Sequence, residues 1–217
     1  MADESQFVEV IKQAKESDKD RKFKQSVEMI MVFRDVDVKK GFAISETVQL
    51  PKKTTIPASV CIMASGDMGI KAKNAKADMV MDESELTKLS ADKKKAKKLI
   101  NDYDFFLADT KLMPAVGKML GQLLGPRGKM PTPVPFNAPI ESFLERFRSS
   151  VKIKAKGSLS MSCKIGEENM DDADLAANAN AVATTVEKIL PNGSKNVKNI
   201  MFKTTMGKAI RVEQVKK

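Results

Sequence analysis

From residue 151 onward the chain alternates apolar and polar side chains through two runs separated by a turn. Val151, Ile153 and Ala155 alternate with Lys152, Lys154 and Lys156; after Gly157-Ser158, Leu159, Met161, Cys163 and Ile165 alternate with Ser160, Ser162 and Lys164. Side chains of a strand point to opposite faces with period two, so this pattern demands a sheet with one apolar face and one face of lysine and serine. The two runs read as a hairpin. A similar strand lies near the other end, at Phe23 to Arg34, where Val27, Met29, Met31 and Phe33 alternate with Ser26, Glu28 and Arg34. Ile30 and Val32 break that alternation, so the middle of the strand is expected to be covered on both faces.

The neighbouring segments fit the same layer. Phe7, Val10, Ile11 and Ala14 have the spacing of one buried helix face. Asp171 to Leu190 reads as a helix with acidic residues in its first turn, favoured by the helix dipole. Lys39-Lys40-Gly41 reads as a turn, and Ala43 to Leu50, Ile200 to Thr204 and Ala209 to Val215 as strands. Pro51 and Pro57 bracket a stretch that reads as a stiff linker.

The middle has a different pattern. Ser59 to Ala64, Met79 to Met81 and Phe105 to Ala108 read as short strands. Gly66 to Ala77, Ser90 to Ile100 (capped by Ser90), Leu112 to Leu124 and a segment from Ala138 read as helices, and Gly125 to Asn137 as a proline-rich loop. Alternation of strand and helix at this spacing predicts βαβ units around a small parallel sheet. The expected fold is therefore α+β with an α/β insertion. A split antiparallel-sheet domain, residues 1–56 and 151–217, is covered by helices on one face, and residues 57–150 form an inserted Rossmann-like domain. The expected hinge residues are Pro51, Pro57, Ser149 and Ser150.

Much chemistry is excluded. The chain has no His, which removes imidazole-based triads, Cys–His pairs and imidazole-ligated metals. Its 2 cysteines, Cys61 and Cys163, form no Cys-x-x-Cys pair and read as buried apolar residues of a reducing compartment. Gly121 to Met130 looks like a phosphate loop, but Leu123 and Met130 stand where a Walker motif needs Gly and Ser or Thr. Gly66-Asp67-Met68-Gly69 lacks the dinucleotide fingerprint. The pairs Asp102/Asp104 and Asp171/Asp172 have nothing that places them in a pocket. No metal and no cofactor is expected. The polar start Met1-Ala2-Asp3-Glu4 is unlike a signal peptide, and no apolar run is long enough to cross a bilayer, so a soluble cytoplasmic protein is expected.

What remains is charge. The net is +10, divided as +1 for residues 1–56, +4 for residues 57–150 and +5 for residues 151–217. The last third is the most basic per residue, and its strands gather lysine on one face. Lys152, Lys154, Ser162 and Lys164, with Ser26 and Glu28, are expected on the uncovered side of the sheet, where lysine and hydroxyl groups at fixed spacing suit phosphate and 2′-hydroxyl oxygens. Asp92 to Lys98 is a second lysine-rich face, read as solvated or as a phosphate track.

Four segments carry a family resemblance. Gly125-Pro-Arg-Gly-Lys-Met-Pro131 and Lys203-Thr-Thr-Met-Gly207 resemble the signature pair of the L-one family of large-subunit ribosomal proteins. Lys22-Phe23-x-x-Ser26-Val-Glu28 and Thr47-Val-Gln-Leu-Pro51 resemble its first-strand and pre-linker segments. The short length and Lys208 look more like the archaeal branch. The resemblance runs nearly end to end. It implies a two-domain, non-enzymatic protein, monomeric when free, that binds 23S ribosomal RNA at a mobile stalk near the tRNA exit site. It also implies contact with exit-site tRNA and repression of translation through a similar structure in its own messenger. By match of motif, Lys22, Phe23, Ser26, Glu28, Lys203, Thr204, Thr205, Met206 and Gly207 carry over as RNA contacts or their supports. In that setting Phe23 offers a flat face to a sugar or base, Gly207 admits close approach, and the Thr205 hydroxyl meets a 2′-OH. Glu28 accepts from a 2′-OH or orients a lysine. The rivals are a nucleotide-dependent Rossmann-type enzyme, which would need a glycine-rich turn after Ala64, and a sequence-blind nucleic-acid binder.

Overall fold

The computed structural model describes residues 4–17, 21–37, 42–135 and 139–212. The chain divides into two compact units, Met1–Pro57 with Ser149–Lys217, and Ala58–Arg148. In chain order, unit 1 opens with α1 (Glu4–Glu16), β1 (Ser26–Phe33) and β2 (Ala43–Gln49). Unit 2 follows with β3 (Val60–Met63), α2 (Asp67–Asn74), β4 (Met79–Met81), α3 (Glu83–Ala91), α4 (Lys93–Asp102), β5 (Phe105–Asp109), α5 (Met113–Arg127), β6 (Thr132–Val134) and α6 (Ile140–Arg148). Unit 1 resumes with β7 (Ser150–Lys156), β8 (Ser160–Glu167), α7 (Asp172–Ile189), β9 (Val197–Thr204) and β10 (Ile210–Arg211).

β1 is the central strand of unit 1. It pairs antiparallel with β8 on one side and β9 on the other, in the strand order β10-β9-β1-β8. Val27, Met29, Met31 and Phe33 are buried, while Ser26, Glu28, Ile30 and Val32 are half-buried. The buried set meets α1 and α7 in one core, where Phe7 packs edge-to-face on Phe202 with ring centroids 5.3 Å apart. β2 and β7 form a separate two-stranded antiparallel sheet whose Ile44, Val48, Ile153 and Ala155 enter the same core.

The alternating runs at 151–165 are therefore not a hairpin. They are β7 and β8, joined by a turn, but β7 pairs with β2 and β8 with β1. Ile165 is an extra residue in β8, because Val27 faces Gly166 while Glu28 faces Lys164. The predicted last strand is shorter, Ile210–Arg211, and its end lies outside the described residues, as does the turn at Lys39-Lys40-Gly41.

The stretch after Pro51 is not a free linker. The Lys52 N–H donates to Asn178 Oδ1 (2.9 Å), and Asn178 Nδ2 donates to Lys52 O (3.1 Å) and Ile165 O (2.9 Å). The Thr55 and Ile56 N–H groups donate to the two oxygens of Glu167, at 2.8 and 3.4 Å. Asn178 and Glu167 are 0% and 1% exposed, so these bonds form away from water, where leaving the side chains unpaired is expensive. Ser149 and Ser150 are buried as well. Ser150 begins β7, and Ser149 O accepts from the Leu50 N–H at 2.8 Å. Of the four expected hinge residues, Pro57 and Ser149 stand at the two boundaries between units, Pro57 exposed and Ser149 buried, while Pro51 and Ser150 lie within unit 1.

Unit 2 has a parallel sheet in the order β4-β3-β5-β6. α3, α4 and α5 share one core with its Cys61, Met63, Phe106 and Ala108; α2 and α6 share another with its Val60, Ile62 and Leu107. Three expectations are corrected. Ser90 belongs to α3, and α4 is capped by Asp92, which accepts from the Lys94 and Lys95 N–H groups at 3.0 and 3.2 Å. The helix expected to stop at Leu124 continues to Arg127 and ends at Gly128, left-handed with φ +69°. The proline-rich loop contains β6, with Pro133 opposite Ala108 at the sheet edge, where its missing donor costs least.

Each unit holds one buried cysteine, Cys163 in unit 1 and Cys61 in unit 2. Burial pushes each thiol up to about 12, so neither is a thiolate near neutrality. Phe202→Ala is expected to destabilise unit 1 by about 3–5 kcal/mol. In dilute urea Cys163 should then react with a thiol reagent much sooner, while Cys61 keeps its wild-type rate. Equal acceleration at both thiols would show that the two cores do not open independently.

Candidate nucleic-acid interface

The antiparallel pairing of β1 with its neighbours sets the uncovered face of the sheet. Glu28 faces Lys164 on one side and Lys203 on the other. Ile30 faces Ser162 and Met201, and Val32 faces Ser160 and Asn199. The face therefore grades from a charged row to a half-apolar strip. Lys164 also approaches Glu167, with Nζ 2.5 Å from Oε1. A carboxylate between two lysines lowers the local positive charge and fixes where the ammonium groups stand.

Because β1 and β9 run antiparallel, the start of β1 lies beside the end of β9. Two loops meet there. The Ser26 N–H donates to Thr205 Oγ1 (3.1 Å), and that hydroxyl donates to Ser26 O (3.3 Å). The Met206 N–H donates to Gln25 Oε1 (3.0 Å), Lys203 Nζ to Thr205 O (3.0 Å), and the Gly207 N–H to Thr204 O (3.2 Å). Gln25 is 2% exposed, so its amide is a fixed post. The loops are tied down through backbone and buried polar groups, which leaves their apolar tips outward. Phe23 is 52% and Met206 59% exposed. Apolar side chains held in water by a rigid frame, beside exposed Lys22 and Lys24, make this a candidate interaction surface.

This cluster brings together Lys22, Phe23, Ser26, Glu28, Lys164, Lys203, Thr205, Met206 and Gly207. The two threonines differ in setting. Thr204 is 1% exposed and faces inward opposite Val27, which fits a supporting role. The Thr205 hydroxyl gives its proton and one lone pair to the Ser26 backbone, which holds the loop in place, and keeps a second lone pair on an exposed residue. Lys152 and Lys154 lie on the two-stranded sheet, opposite Thr47 and Ser45, rather than on the sheet that holds β1. Lys152 is held below the usual lysine range by burial and by Lys154. The sequence reading missed Gln25, Glu167 and Asn178. Each is a polar residue inside or beside a strand or helix, and nothing in composition or period says that its side chain is buried.

The sequence profile of the ribosomal protein L1p/L10e family matches residues 11–208. The chain is similar to the large ribosomal subunit protein uL1 of Cenarchaeum symbiosum, 67% identical and covering 97% of each chain. It is 48% identical to that of Thermofilum pendens, over 95% of this chain and 92% of the other. It is 41% identical to that of Archaeoglobus fulgidus, over 98% and 99%.

Thr205→Val keeps the volume and removes the hydroxyl that both accepts from and donates to Ser26. The expected cost is about 1–2 kcal/mol. Hydrogen exchange should show faster loss of the Ser26 and Met206 amides, with the middle of β1 unchanged. Wild-type exchange at both amides would mean that the hydroxyl does not hold this loop.

Proposed function

The chain belongs to the ribosomal protein L1p/L10e family, and from that premise we propose that it is a structural component of the large ribosomal subunit, binding 23S ribosomal RNA at the mobile stalk near the tRNA exit site. The observation that carries this is the rigid pair of loops at the start of β1 and the end of β9, with Phe23 and Met206 held outward beside lysines. Phe23 supplies a flat apolar face for a base or ribose, Met206 fills a shallow RNA groove, and Lys22, Lys164 and Lys203 meet phosphates. Glu28, between two lysines, accepts from a 2′-hydroxyl and repels phosphates that sit out of register, which favours one folded site over RNA in general. Lys152 and Lys154 extend the basic surface on the second sheet.

The protein acts in the cytoplasm, on the ribosome, through binding rather than catalysis. A similar RNA structure in its own messenger would occupy the same loops and repress translation. Exit-site tRNA is the third RNA in reach of the stalk. In this reading unit 1 is the split RNA-binding domain and unit 2 an inserted Rossmann-like domain. The docked connector confines hinge motion to the peptide links near residues 57–58 and 148–149.

Met206→Asp places a charge at the exposed tip without touching the core. Affinity for the ribosomal RNA site should fall by about 1–3 kcal/mol, with thermal unfolding unchanged. A filter-binding curve that overlays wild type would remove the loop from the interface. Replacing residues 58–148 with a short glycine linker should leave unit 1 folded and still bound to the same RNA. An unfolded or inert product would overturn the assignment of affinity to unit 1.

A further inference from the structure

α4 carries lysine at five of its first six positions: Lys93, Lys94, Lys95, Lys97 and Lys98. All are exposed. The helix is fastened by other means. Ala96 and Ile100 are buried, Leu99 packs on the same core, and Asp92 caps the first turn. At the other end Lys129 Nζ donates to Ile100 O (2.8 Å) and Tyr103 O (2.6 Å). Of the five ammonium groups, only that of Lys95 takes part in this attachment, through the cap residue Asp92. Among the described residues their one ion-pair partner is Asp92, 3.6 Å from Lys95.

Stability alone disfavours this placement. Lys93, Lys94 and Lys95 lie in the first turn, at the positive end of the helix dipole. Lys93/Lys97 and Lys94/Lys98 are like-charge neighbours one turn apart. A rigid, repelling array of cations is favourable where an extended anion covers it. We propose that the lysine face of α4 is a second RNA-binding surface, on unit 2, which takes the sugar–phosphate backbone without reading sequence.

The chemistry of the face selects that partner. A helix that lies on a membrane needs apolar side chains to sink into the interface, and those of α4 are spent on the core. Protein interfaces favour aromatic residues, Met and Arg and are depleted in Lys, whereas this face is lysine throughout. Lysine is a point charge for phosphate and specifies no base.

The test compares the full chain with a Lys94→Gln/Lys97→Gln/Lys98→Gln variant, using a short RNA duplex of no special sequence as probe and titrating salt. Three lost phosphate contacts should make the salt dependence shallower by roughly 2–3 in log–log slope. Between about 50 and 200 mM salt the wild type should lose roughly 15- to 60-fold more affinity than the variant. The triple Lys→Arg variant should restore the slope. A Lys71→Gln/Lys73→Gln/Lys76→Gln variant removes the same charge from α2 and its end, and should behave as wild type. The proposal is overturned if the α4 variant keeps the wild-type slope, or if the α2 variant shifts it equally. It is also overturned if α4-dependent binding appears on anionic vesicles and not on RNA. Met206→Asp, read on the ribosomal RNA site, is the separate test of unit 1, so failure of that reading and failure of this proposal are distinguishable.

Discussion

β1 has no sheet without the last third of the chain. Its two neighbours, β8 and β9, both come from beyond residue 149, and its apolar face is covered by one helix from each end of the sequence. A strand flanked on both sides has no exposed edge, so this arrangement satisfies its backbone fully. It also forces the intervening residues to leave and return at neighbouring points. The pairing of Gln49 with Ser150, and the bond from the Leu50 N–H to Ser149 O, fix those points side by side. A second unit can be carried there at little cost to the first. The paired loops follow from the same constraint, because an antiparallel β1–β9 ladder must bring residues 22–26 beside residues 204–207.

The parts of this fold that were legible are those where burial imposes a period. Val27, Met29, Met31 and Phe33 announced one buried face, and they are the core face of β1. The illegible parts are those where tertiary contacts override a local signal. Pro126 looked like the start of a loop, yet buried Leu120 and Leu124 carry α5 on to a left-handed Gly128. Pro133 looks like a loop residue, yet β6 is an edge strand that tolerates it. β7 and β8 alternate alike and share a turn, so nothing local says that they pair with different strands. α3 was missed although Asp82 and Glu85 form its capping box, because its one fully buried residue, Leu86, gives too weak a stripe.

The site divides along the same line. Charge and exposure are composition-level properties, and Lys22, Phe23, Lys164, Lys203 and Met206 were readable from them together with the resemblance. Support is a property of the assembled structure. The Thr205 hydroxyl offers a partner to RNA in the sequence, and the fold adds its tie to Ser26; Thr204, next to it, points into the core. Gln25 and Asn178 are ordinary polar residues in the sequence, yet one holds the Met206 loop and the other holds the connector. Alternation along β9 decides which of two adjacent threonines is exposed, and that alternation is set by a register no single strand contains.

The +10 charge is therefore two different things. On unit 1 the lysines stand among carboxylates. Glu28 lies between Lys164 and Lys203, and Glu167 takes Lys164 while holding the connector amides. Cations fixed by anions lose some attraction for a phosphate at long range and gain definition of position, which suits recognition of one shape. On α4 the lysines stand almost without acids, on a helix whose apolar residues are already used. Crowded ammonium groups with few acids nearby gather counterions, whose release favours an anionic partner, and define little. Net charge alone does not separate the two settings, lysines ordered among carboxylates on unit 1 and lysines crowded together on α4.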